Sequence, residues 1–323
     1  MDKKYYLGID IGGTKCAVIA GTEDMEILEK IDFPTETHKG PGHAINLLLN
    51  GAGSITYKLG LQGLQSIGIS CGGPLDSKRG LVQSPPNLPG WDNIPVVQLF
   101  NDAFHVPVFL QNDANACALA EWKFGAGKGV ENMIFLTFGT GMGAGIITDG
   151  RLYSGTNDLA GEVGHIRLAD DGPEAYGKKG SFEGFCSGAG IARIAKKIAA
   201  EKLANGEVVS FCSNIGDIDK ITTKDIAEAA ANGDKAALEI FEISGKHLGK
   251  GLSILIDVLN PQRIVIGSIY ARCTQFIEPS CMKVIEQEAL EPSRLVCRVV
   301  PAALGDQVGD FASLSVAIVS NKQ

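Results

Sequence analysis

No uncharged apolar run in the 323 residues reaches the roughly 18 residues that a membrane span requires. The one apolar stretch near the N-terminus is interrupted by Asp10, so no signal peptide is read there. Paired cysteines are lacking as well. The eight cysteines stand at positions 16, 71, 117, 186, 212, 273, 281 and 297, without CxxC or other paired spacing. That argues against a disulfide scaffold and for free thiols that pack as small hydrophobes. Positive charge is in deficit: 29 Lys and Arg stand against 37 Asp and Glu, a net charge of −8. The densest basic pair in mid-chain, Lys178-Lys179, fits a solvated loop, and without a basic patch no nucleic-acid partner is expected. These absences together predict a soluble, cytoplasmic protein with neither membrane nor nucleic acid as partner.

Glycine, by contrast, is abundant. It supplies 41 of the residues, about 13% against a usual ~7%. Its clusters sit at the ends of apolar runs, where tight turns and close approach of backbone to a ligand call for it. The remaining composition, 45% hydrophobic and 20% charged, is that of an ordinary globular chain, and the length suits two domains.

Strands are expected over Tyr5–Ile11 and Lys15–Gly21, joined by Gly12-Gly13-Thr14 as a hairpin, and then over Glu26–Phe33, Ser66–Cys71 and Val106–Gln111. Helical patterns cover 44–60 and Ala114–Phe124, and the intervening loop Ser84-Pro85-Pro86-Asn87-Leu88-Pro89-Gly90 is read as a set of defined turns. A second strand–turn–strand unit, Met133–Phe138, Gly139-Thr140-Gly141-Met142-Gly143 and Ala144–Thr148, echoes the first, as though one fold occurred twice. Helices follow over Ile191–Lys202, Thr223–Asn232 and Lys235–Leu259, the last ended by Asn260-Pro261. Strands over Arg263–Ile266 and Arg298–Pro301 and a helix over 309–320 complete the chain. Strands alternating with helices in both halves predict an α/β fold.

Asp10-Ile11-Gly12-Gly13-Thr14-Lys15 puts a carboxylate at a strand end and bare backbone N–H groups just after it. That combination suits phosphate, and it suits Mg2+ held by Asp10 directly or through water. The plainer alternative is a hairpin whose glycines only satisfy positive φ. The later run Gly139–Gly143 weighs towards phosphate. It is neither a Walker A loop nor a GxGxxG fingerprint, and a strand rather than a helix follows it, so two such turns occupy equivalent places in two lobes. Asp113 also has two readings, as the N-cap of a helix or as a functional carboxylate.

Five segments now stand in order: Asp10–Lys15, Asn112–Glu121 (NDANACALAE), Thr137–Gly143 (TFGTGMG), Gly161–His165 (GEVGH) and Leu259–Gly267 (LNPQRIVIG). Together they resemble the ROK family of sugar kinases and repressors, within the larger hexokinase–actin–Hsp70 fold, and the resemblance runs from Tyr5 to about Ala317. It implies two RNase-H-like (actin-like ATPase) α/β lobes with a central cleft, the first made of 1–111 plus 310–323 and the second of 112–309. It further implies ATP, Mg2+ and a free hexose or N-acylhexosamine as ligands. By resemblance the nucleotide falls to Asp10, Gly12, Gly13, Thr14, Lys15, Gly139, Thr140, Gly141, Gly143 and Gly267, with Asp10 also on Mg2+. Asp113 takes the proton of the attacking hydroxyl, the acceptor that phosphoryl transfer to an alcohol requires. Asn112, Glu162, His165, Glu183 and Gly73 bind the sugar, for which charged acceptors are well suited. Asn87 either reaches the ligand or serves a turn, and a homodimer is expected. Taken singly, Asn112 reads as a turn residue, Glu162 as a surface charge, His165 as a core histidine and Glu183 as a helix-entry residue.

Two departures from the family pattern carry expectations of their own. Most members build a zinc site from the histidine and a following CxCGxxGC, but Glu174, Tyr176 and Ser181 stand where the thiolates belong. No structural zinc is therefore expected, and the loop is either held by packing and hydrogen bonds, with Tyr176 and Phe182 as candidates, or mobile until sugar binds. After the strand ending in Gly267, Ser268-Ile269 replaces the family's Gly-Gly, which reshapes the adenine side; Leu304-Gly305-Asp306-Gln307-Val308-Gly309 keeps its Gly-Asp and second Gly. The alternatives to a kinase are a non-catalytic sugar sensor and a ROK-type transcriptional regulator. The second is disfavoured by the acidic charge and by a first strand that opens at Tyr5, where repressors carry a helix-turn-helix before it.

Overall fold

The computed structural model describes residues 4–321, leaving aside the side chain of Asp306; the expectation for that aspartate thus lies outside what is described. β1 (Tyr5–Ile11) and β2 (Lys15–Gly21) form the expected hairpin, and β3 (Ile27–Pro34) extends it antiparallel. α1 (Pro41–Leu59) leads to β4 (Leu64–Cys71), which lies parallel to β1. The short hairpin β5 (Leu75–Asp76) and β6 (Leu81–Val82) and then α2 (Val96–Phe104) lead to β7 (Val108–Asn112), parallel to β4. α3 (Asp113–Phe124) follows directly.

The second repeat opens with β8 (Met133–Leu136), β9 (Ala144–Thr148) and β10 (Arg151–Tyr153). The hairpin β11 (Glu174–Ala175) and β12 (Lys178–Lys179) precedes four helices, α4 (Phe182–Cys186), α5 (Gly188–Ala204), α6 (Thr223–Ala231) and α7 (Lys235–Leu259). β13 (Arg263–Ile266), α8 (Ile269–Glu288), α9 (Glu291–Val296), β14 (Arg298–Pro301) and α10 (Val308–Ser320) complete the chain. The two sheets run β3-β2-β1-β4-β7 and β10-β9-β8-β13-β14. Each puts its first strand in the centre, its next two strands on one side and its last two on the other. This is the RNase-H-like plan, used twice. By contacts the chain falls into two compact units: one holds the chain up to Glu131, Gly145–Ala160 and the chain from Ala303, and the other holds Asn132–Ala144 and Gly161–Ala302. All eight cysteines are free, and no described helix is long and apolar enough to cross a membrane.

The period of two along β1 sorts the first unit's core. Tyr5, Leu7, Ile9 and Ile11 join Ala44, Leu48 and Ile55 of α1 in one cluster. Tyr6 belongs to a second cluster, with Ala17 and Ile19 of β2 and Leu314, Ala317 and Ile318 of α10. Gly8 and Gly68 lie against α10. A Cβ on Gly8 would collide with Ser313, and one on Gly68 with Ser313 and Ala317. Glycine there lets the helix rest directly on the sheet, and Ser66 Oγ donates to the Ala317 carbonyl across the same seam (3.0 Å). The alternation that puts Tyr6 and Gly8 under α10 also puts Asp10 on that side, and Asp310 sits in the first turn of the helix.

Candidate functional site

The first glycine turn is closed by Gly12 N–H donating to the Lys15 carbonyl (3.1 Å). Thr35 braces it from the end of β3: its hydroxyl donates to the Gly12 carbonyl (2.6 Å) and its N–H to the Thr14 carbonyl (3.0 Å). Neither Gly12 nor Gly13 has the positive φ that the plainer hairpin reading requires. They are glycines because of close approach: a Cβ on Gly12 would lie 2.7 Å from the Lys15 carbonyl, and one on Gly13 only 2.6 Å from the Asn87 carbonyl. Asn87 also borders Gly72, and Trp91, almost fully buried, roots its loop. Gly73, followed by a cis peptide to Pro74, has open space where a Cβ would stand. Lys15 reaches Asp32 across the sheet (3.0 Å), and both are well exposed.

Asp113 is the first residue of α3, but the cap is Asn112, whose Oδ1 accepts the Asn115 N–H (2.8 Å). The capping task is thereby lifted from Asp113, whose own Oδ1 accepts the Ala114 N–H (2.8 Å). Asp113 remains open to solvent although neighbouring protein crowds its carboxyl. That crowding raises its carboxyl above the ordinary range, against the lowering effect of the Ala114 and Asp113 N–H groups. Asp10 is raised to about 6, first by burial and then by Asp310 and Asp113, with Lys30 and Lys15 opposing. Three carboxylates therefore share one electrostatic neighbourhood in the first unit. Of the three, Asp10 stands beside the bare turn amides, and Mg2+ needs only one or two carboxylates where water and phosphate oxygens complete its shell. Asp310 was not foreseen from the sequence. Asp158 was not either; this buried carboxylate accepts from Ser77 N–H (2.7 Å) and Ser77 Oγ (2.8 Å).

The second unit gathers the remaining candidates. Thr137 and Gly143 bond reciprocally, Thr137 N–H to the Gly143 carbonyl (2.9 Å) and Gly143 N–H to Thr137 Oγ1 (2.8 Å), which closes the Gly139–Gly143 run. Glu183, from α4, accepts the Met142 N–H (2.9 Å), and Gly188 N–H donates to the Gly139 carbonyl (2.7 Å). Thr140 is exposed at the tip. Gly161 and Gly164 bring GEVGH against this run, because a Cβ on either would strike the backbone of Ala144 or Met142. His165 and Glu162 stand 4.0 Å apart, each about half exposed, so His165 is not the satisfied core histidine of the plainer reading. Beyond Gly267, whose N–H donates to the Leu136 carbonyl (3.0 Å), Ser268 adopts φ 54 and ψ −116 and places its Oγ across from Gly139. A non-glycine residue in that conformation carries strain.

The positions where thiolates would stand have other work. Ser181 caps α4 by accepting the Gly184 N–H (3.1 Å). Tyr176, with Gly177 in a two-residue left-handed turn, tilts its ring over His165 at 5.2 Å. Lys178 Nζ donates to the His165 carbonyl (2.6 Å), Arg167 to the Lys179 carbonyl (2.8 Å), and buried Phe182 packs on Gly251 of α7. Among the described residues, no group of three or more His, Cys, Asp and Glu could hold a metal ion.

The glucokinase of Halalkalibacterium halodurans is 34% identical over 277 residues, covering 83% of this chain and 81% of that one. A solved ROK family glucokinase from Streptomyces griseus, in complex with glucose and AMPPNP, is 29% identical with a TM-score of 0.76, covering 97% of this chain and 99% of that one. The DNA-binding transcriptional dual regulator NagC of Escherichia coli is 30% identical over 321 residues, 97% of this chain and 76% of that protein. A family model described as ROK family matches residues 6–317, and the chain belongs to that family.

Proposed function

We propose that this protein is an ATP-dependent kinase that phosphorylates a hydroxyl of a free hexose or N-acylhexosamine, with Asp113 as the general base. The observation that carries the assignment is the state of Asp113: a crowded, solvent-reachable carboxylate, released from capping by Asn112 and raised by burial. A raised pKa makes a stronger proton acceptor, and a positioned base contributes about 10²–10⁴-fold. Asn112 Nδ2 orients the neighbouring hydroxyls, its Oδ1 being committed to the helix. Glu162, His165 and Glu183 line the sugar, and Glu183 also ties its environment to the glycine run through Met142. The amides of Gly12–Lys15 and Gly139–Gly143 hold phosphate oxygens, and Gly267 lies on the nucleotide side. Asp10 holds Mg2+, directly or through water, and the ion neutralises charge on the phosphates.

The test is ADP release across a panel of free sugars, followed by Asp113→Asn on the best of them. Turnover should fall at least about 100-fold while the sugar still binds; a variant that turns over normally removes Asp113 from the role. Similarity to a transcriptional regulator and the strained Ser268 favour a second reading, a sugar-binding protein without catalysis. Sugar binding without ADP release from any member of the panel would select it.

A further inference from the structure

Glu121 closes the NDANACALAE segment and is fully buried. Among the described residues no cation pairs with it; its partners are backbone amides. Oε1 accepts the Leu304 N–H (2.9 Å), and Oε2 accepts those of Ala126 (2.7 Å) and Ala303 (3.2 Å). Its main-chain carbonyl accepts two more, from Gly125 (3.1 Å) and Gly127 (2.8 Å). Gly125 has to be glycine for this to occur, since a Cβ there would collide with the Glu121 carboxylate. A buried anion is tolerated where several N–H dipoles converge on it, and here they come from two separate stretches of chain. One is the turn just after α3. The other, Ala303-Leu304, immediately precedes the turn that starts α10.

We propose that Glu121 is a positioning residue for phosphoryl transfer. By clamping Ala303-Leu304 to the foot of α3, it sets the first turn of α10, and so Asp310, against Asp10. Asp310 is the carboxylate with the largest electrostatic effect on Asp10, and its own hold on the sheet is the ion pair with Lys30 (2.7 Å). The other end of α3 is secured independently, by the Asn112 cap and by direct continuation from β7. Loosening the clamp therefore disturbs the phosphate and cation end and spares the sugar end. The inference rests on the kinase reading above.

Glu121→Gln is the test, because it keeps the shape but turns an NH2 group towards N–H donors. With MgATP and sugar varied separately, KM for MgATP should rise about 10-fold and kcat fall about 10-fold, with KM for the sugar within about twofold of the parent. A variant that only melts at lower temperature, with all three constants unchanged, overturns the inference, as does an equal rise in both KM values. Should the variant not fold, hydrogen exchange on the unaltered protein decides. The Ala126, Ala303 and Leu304 amides should exchange as one set, slowed about 10-fold or more by a non-hydrolysable ATP analogue, and indifference to the analogue overturns the proposal. An unaltered protein inactive on every sugar would instead strike the kinase reading, and the exchange experiment would still judge the clamp.

Discussion

The two glycine turns look alike in sequence but are glycine-rich for different reasons. At the first, the protein itself forbids a side chain: Gly12 faces the Lys15 carbonyl and Gly13 the Asn87 backbone. At the second, a Cβ on Gly139 would meet only Ser268 Oγ, at an ordinary 3.7 Å, and one on Gly141 would meet no backbone but press on the Glu183 carboxylate at 2.9 Å. The first turn is thus built into the packing of its unit. At Gly139 the second leaves room that the protein does not fill, a feature compatible with the phosphate role proposed for this turn.

Substitution separates the two. The largest effect is expected from Gly13→Ala, where a methyl group meets backbone that has little room to shift; a loss of about 3 kcal/mol should appear in denaturant melts, and a loss under about 1 kcal/mol would break the contrast. Next comes Asp10, at the end of the same strand. Its pKa is raised from 3.8 to about 6, so the folded state takes up a proton between those values. The buried charge lowers stability above that window, and the penalty is gone below it. Asp10→Asn should therefore stabilise the ligand-free protein by about 2 kcal/mol near pH 7.5 and leave it almost unchanged near pH 4, while weakening use of MgATP. Melts at the two pH values that show equal effects would contradict this.

On the second turn the effects are smaller. Ser268→Gly should relieve a strained backbone for a gain of about 1 kcal/mol and lower KM for ATP; a destabilised variant would mean that the serine has a role beyond its conformation. Gly139→Ala should move stability by less than about 0.5 kcal/mol yet impair turnover, and a silent result in both measurements would remove this turn from the phosphate.

Much of the fold was legible because its strands alternate or run apolar between glycine turns, and β1, β2, β4, β8 and β13 lie close to where those signals put them. Three helices, α2, α8 and α9, were not anticipated. α8 holds Pro279 and a non-helical Cys273 (φ −122, ψ 21), both of which break the usual helical pattern. α2 does carry a signal in the sequence: Val96, Phe100 and Phe104 recur every four residues and are its buried face. In the candidate site, local motifs pointed to Asp10 and Asp113 because each stands beside a turn or helix start. Asp310 and Glu121 gave no such sign, since their partners lie in segments brought near only by the fold, 182 and 183 positions away in the case of the Glu121 contacts with Ala303 and Leu304.

The seat that Gly8 and Gly68 provide for α10 also bears on the order of assembly. The sheet at the start of the chain has one face covered by α10, which lies far along the sequence. During translation β1 to β7 therefore emerge with that face bare while roughly two hundred further residues are added, a delay of about 10–40 s at ordinary elongation rates. For that interval the nascent first unit has an exposed apolar surface that α10 goes on to cover.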